Sequence, residues 1–147
     1  MKAVRLFMLP AALLAAGAAQ ALDYRSVGAA PAVLYDAPSL KGRKLFVAPR
    51  GMPLEVVLTY GEWMKVRDMA GDLTWVQSRL LVPRRNVVVN AASARVRAAA
   101  EESAPIVFTA DKGVLLDMLD PVTAGWVRVR HRDGQSGFVR ATEVWGE

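Results

Sequence analysis

The sequence predicts an all-β protein: two small barrels in tandem, following an N-terminal secretory signal peptide. Three observations carry this reading. A repeat of about 60 residues fills the chain beyond residue 21. Each copy consists of short runs rich in β-branched or alternating residues, and Gly or Pro interrupts those runs about every ten residues. No amphipathic run reaches the length of a good helix.

Residues 1–21 read as the signal peptide. Lys2 and Arg5 supply a basic start, an apolar run from Leu6 to Ala19 is broken by Pro10 and Gly17, and Ala19-Gln20-Ala21 offers small residues to a signal peptidase. The run falls short of the ~20 residues of a spanning helix. Cleavage is expected before Leu22, leaving no stable membrane anchor, and the absence of Cys excludes a lipid-modified one. The expected address is the periplasm.

Of the 147 residues, 19 are Lys or Arg, 14 are Asp or Glu, one is His and none is Cys, so disulfides, thiol nucleophiles and thiolate metal sites are excluded. Cleavage removes Lys2 and Arg5 and lowers the formal net charge from +5 to +3. The remaining cations are spread along the chain, with Arg84-Arg85 the one basic pair between the copies. That is no footprint for nucleic acid, which needs Lys and Arg clustered along one face.

The repeat is visible residue by residue. An offset of 62 aligns Leu34 with Val96, Phe46 with Phe108, Gly51 with Gly113 and Leu54 with Leu116. After one inserted residue an offset of 63 aligns Trp63 with Trp126, Val66 with Val129, Gly71 with Gly134, Trp75 with Phe138 and Leu81 with Val144. The units are therefore set at residues 22–82 and 87–147, with 83–86 as linker. Strands are expected at Leu54–Leu58, Trp63–Arg67 and Val87–Val89, and at Trp126–Arg132, where strict alternation runs up to Asp133-Gly134, a strong hairpin signal. Units this short close into a barrel with a modest core rather than a large sandwich.

Leu34-Tyr35-Asp36-Ala37-Pro38, Leu45-Phe46 with Gly51 five residues on, Trp63-x-x-Val66 and Gly71-x-x-x-Trp75-Val76 follow one another in an order that resembles bacterial Src homology 3 (SH3-like) domains, and the second copy repeats it. The resemblance spans essentially all of the chain beyond the signal peptide. It implies two SH3-like barrels and a binding module of the cell envelope. It also implies that Trp63 and Trp126 match the tryptophan of the family's peptide groove and that Tyr35 matches a groove tyrosine. The usual proline and tyrosine after the last hairpin are replaced by Gln77-Ser78-Arg79-Leu80 and Arg140-Ala141-Thr142-Glu143, and Arg97 stands in the place of Tyr35, so ordinary polyproline recognition is not expected.

Strand parity yields candidate ligand-binding residues independently. Successive side chains alternate faces, so Met64 and Val66 point inward while Trp63, Lys65 and Arg67 point outward; likewise Val127 and Val129 are inward and Trp126, Arg128 and Arg130 outward. With Tyr35, these outward residues form the expected ligand face, an aromatic beside cations able to stack on a sugar or peptide and pair a carboxylate. Phe46 and Val66 are expected in the core. The loop before Phe46 is basic (Lys41, Arg43, Lys44) and that before Phe108 acidic (Glu101, Glu102), a contrast that suits opposite partners or mutual attraction.

The single His invites a catalytic reading. With Asp133-Gly134 as a two-residue turn, His131 is expected opposite Ser136, but no orienting third residue and no oxyanion hole accompany the pair. No cluster of His, Asp or Glu has metal-ligand spacing. The sequence thus points to a non-enzymatic exported binding module without cofactor or metal, with peptidoglycan or an envelope protein as partner. A protein-protein scaffold acting through strand edges is the alternative.

Overall fold

A computed structural model describes residues 22–147, so the expected signal peptide at 1–21 lies outside the described residues. The described chain is all-β, in two barrels. The first comprises β1 (Tyr24–Val27), β2 (Ala32–Tyr35), β3 (Lys44–Ala48), β4 (Pro53–Tyr60), β5 (Trp63–Arg67), β6 (Leu73–Gln77), a 3-10 turn at Ser78–Leu80 and β7 (Leu81–Val82). The second repeats this order as β8 (Asn86–Val89), β9 (Ser93–Arg97), β10 (Ile106–Asp111), β11 (Leu115–Met118), β12 (Trp126–Arg130), β13 (Ser136–Arg140), a 3-10 turn at Ala141–Glu143 and β14 (Val144–Trp145). Strand neighbours are β3-β2-β6-β5-β4-β1-β7 in one sheet and β10-β9-β13-β12-β11-β8-β14 in the other, so the topology repeats as well as the sequence.

Alternation drives each barrel. Met64 and Val66 are buried with Leu34, Leu54 and Val76 in the first core, and Val127 and Val129 with Val96, Leu116 and Val139 in the second. The two cores share no residue. Phe46 departs from expectation: it is 52% exposed. It sits on β3, an edge strand paired only with β2, and the inward position near the strand's end is taken by the small, fully buried Ala48. A barrel this narrow is filled by Leu34, Ala32 and Ala48, so the Phe46 ring covers a shallow apolar recess with Leu45 and Leu73 instead.

The hairpin after β12 also differs in register. Gly134 donates its N–H to the His131 carbonyl and His131 donates to Gln135, while Arg130 pairs with Ser136. The loop therefore holds three residues, and Gly134, at φ 94°, takes the left-handed position that closes such a loop. This extra residue moves His131 opposite Gln135 rather than Ser136. Asp68 and Gly71 form the same closure in the first barrel, with Gly71 at φ 89°.

The connection between the barrels is short. Asn86, expected in the linker, is already the first residue of β8 and pairs with Asp117, leaving Pro83–Arg85 between strands. Across the joint, the Tyr24 and Trp145 rings meet edge to face at 5.2 Å, Asn86 Nδ2 donates to the Gly51 carbonyl at 2.9 Å, and Arg85 donates to the Gly146 carbonyl at 3.0 Å while lying over Tyr24.

Candidate functional site

The outward face of β5 is assembled by its neighbours. Lys65 pairs with Trp75 of β6, Trp63 with Gln77 of β6 and Tyr60 of β4, and Tyr35 of β2 lies across from Trp75. Side chains opposite one another in antiparallel strands share a face, so four aromatics converge. Trp63 and Tyr35 meet edge to face at 5.4 Å, Tyr60 and Trp75 at 6.4 Å, and the Lys65 ammonium lies 5.9 Å from the Trp75 ring. Tyr35 is only 7% exposed and serves as a brace behind Trp63, whereas Tyr60 is 65% exposed. Among the described residues Lys65 has no carboxylate partner; Arg67, at the far end of the strand, is held by Glu55 at 3.0 Å.

The second barrel presents the same positions in a closed state. Trp126 is 7% exposed, contrary to the outward ring expected of it, although the parity of its strand is as anticipated. The Arg140 guanidinium lies 4.3 Å from the Trp126 ring centroid, and Arg140 Nε donates to Glu102 at 2.6 Å. Arg97 lies 3.8 Å from the same carboxylate and donates to the Ala104 carbonyl at 2.9 Å. The cover therefore comes from the acidic loop. In the first barrel the repeat places Leu40, Gln77 and Tyr35 at these three positions, which can form no such clasp. Arg128 is paired with Asp120 and Arg130 with Asp117, each at 3.2 Å.

The sequence profile described as Bacterial SH3 domain matches residues 28–83 and 90–146. The chain belongs to the bacterial SH3 domain family. Its two SH3 domains together resemble two solved structures from Trichomonas vaginalis, that of NlpC2 (13% identity, TM-score 0.40) and that of NlpC1 (15%, 0.40). The alignments cover 87% and 95% of this chain and 49% and 51% of those chains, so this chain spans about half of their length. Among curated proteins none matches.

In the second SH3 domain, the lone His is engaged locally. His131 Nδ1 lies 3.1 Å from the Asp133 carboxylate, and its ring centroid 6.0 Å from that of Phe108. Asp133 is held below the usual carboxylate range by the backbone N–H and then the side-chain amide of Gln135, with smaller help from His131. Ser136 instead faces Arg130. The described residues contain no group of three or more His, Cys, Asp or Glu able to hold a metal, and none of their helices is long and apolar enough to cross a membrane.

Strand parity found Trp63 and Lys65, and the family resemblance Tyr35, but both missed Tyr60 and Trp75. Trp75 was within reach of the sequence: pairing the Trp63–Arg67 strand with its neighbour through the Gly71 turn sets Trp75 opposite Lys65.

Proposed function

We propose that this protein is a non-enzymatic exported binding module of the cell envelope, with the first SH3 domain as its ligand-engaging unit and a cell-wall glycopeptide as its ligand. The observation that carries this reading is the group of half-buried Trp63 and Trp75 and exposed Tyr60 beside Lys65, a cation with no carboxylate partner among the described residues. Flat aromatic surfaces stack on sugar rings or peptide planes, and a nearby ammonium pairs the carboxylates of peptide stems. The clasped second domain lends spacing and stability. Retention of the protein on purified peptidoglycan tests the reading: Trp63→Ala and Lys65→Ala should weaken retention, Trp126→Ala should not once folding is verified, and added salt should loosen it. Retention unchanged in Trp63→Ala would overturn it.

A second reading is a scaffold that pairs with another envelope protein through a strand edge. It is favoured by β3, whose Leu45, Phe46 and Val47 are all exposed on an edge with one free side. Crosslinking in the native envelope from a probe placed at Phe46 or at Tyr60 separates the two.

A further inference from the structure

The joint between the SH3 domains encloses a cleft of about 720 Å³ whose lining is strongly unbalanced in charge. Arg50 enters from the first domain, Arg84 from the connection, and Arg130 and Arg132 from the second domain, against a single carboxylate, Asp117. Asp117 is fully engaged: its two oxygens take Arg84 at 2.8 Å and Arg130 at 3.2 Å. Arg50 and Arg132 have no ion-pair partner among the described residues, and each projects from a different domain.

Two further features make the cleft more than a basic patch. Asn86 lines it, is only 5% exposed, and donates through Nδ2 to the Gly51 carbonyl, tying the two domains together at the cleft. Leu115 and Val114 add an apolar side. The walls are also set in advance by the Tyr24–Trp145 contact and by the Asn86 and Arg85 hydrogen bonds across the joint, so little ordering is left for a ligand to supply.

We infer that this cleft is a second binding site, one that takes the free carboxylate of a short peptide between Arg50 and Arg132. The carboxylate accepts from the two guanidiniums, and a small apolar side chain lies against Leu115. The apolar side favours a peptide over a bare oxyanion, which the arginines alone would accept equally. The site is independent of the aromatic face.

The test is a backbone-amide NMR titration of the chain from Leu22 onward with N-acetyl-alanyl-alanine, its C-terminal amide and inorganic phosphate, each at the same ionic strength. The carboxylate peptide should shift Gly51 and Arg132 together, the amide should shift neither, and Arg50→Gln with Arg132→Gln should weaken binding at least about tenfold with an unchanged melting temperature. Trp63→Ala should leave this binding intact, which separates the cleft from the aromatic face. Equal binding of the amide peptide, equal or tighter binding of phosphate, or wild-type affinity in the double variant would each overturn the assignment.

Discussion

Arg140 lies over the Trp126 ring, its guanidinium carbon 4.3 Å from the ring centroid, and Glu102 holds it there from the loop between β9 and β10. The relationship explains why two copies of one domain present different surfaces: the tryptophan is common to both, and its cover is not.

Removing the cover should expose the ring. In Arg140→Ala, Trp126 fluorescence should become accessible to a soluble quencher while that of the first domain is unchanged. Because the clasp is partly solvated, the stability loss should be modest, about 1 kcal/mol. Quenching that matches wild type would show that other residues bury Trp126.

Core and cover should separate cleanly around β3. Leu34→Ala removes a fully buried side chain and should cost about 2–5 kcal/mol, whereas Phe46→Ala trims a half-exposed ring and should cost under about 1 kcal/mol. Denaturant melts of the two variants check the order.

Gly137 stands where β13 passes β9, and a Cβ there would fall 2.5 Å from the Arg97 carbonyl oxygen and 2.8 Å from a Val96 methyl. The carbonyl belongs to the backbone and cannot swing aside. Gly137→Ala should therefore destabilise the second domain by about 1–3 kcal/mol, read as a lower melting temperature.

Tyr24 gives the joint a pH dependence. Its phenol is pushed above the ordinary 10.0 chiefly by burial, then by Glu55 and Glu147, with Arg85 and Arg67 opposing. The folded chain thus holds this proton more tightly than the unfolded one, so the contribution is full below about pH 10 and is lost as pH rises through the folded value. A tyrosinate absorbance titration should show a late component that disappears in Tyr24→Phe.

Much of the architecture was legible because it depends on patterns that a linear sequence displays. The two-copy organisation followed from the spacing of Gly51, Trp63 and Gly71, and the inward Met64, Val66, Val127 and Val129 from alternation alone. Phe46 was misplaced because residue type says nothing of how wide a barrel is, and Ala48 had filled the space. Trp126 was expected in solvent because parity fixes the face of a strand but not what a distant loop lays over it. His131 slipped by one position because Asp133-Gly134 closes both two- and three-residue loops, and only the register distinguishes them. The inter-domain cleft was invisible for a simpler reason: Arg50 and Arg132 are 82 positions apart in the chain.

The separateness of the two cores has a consequence for how such a protein changes over generations. A substitution at Arg97, Glu102 or Arg140 alters the surface over Trp126 without touching any core side chain of the other domain. Duplication thus leaves the surface of one copy free to diverge while the core of its twin is untouched.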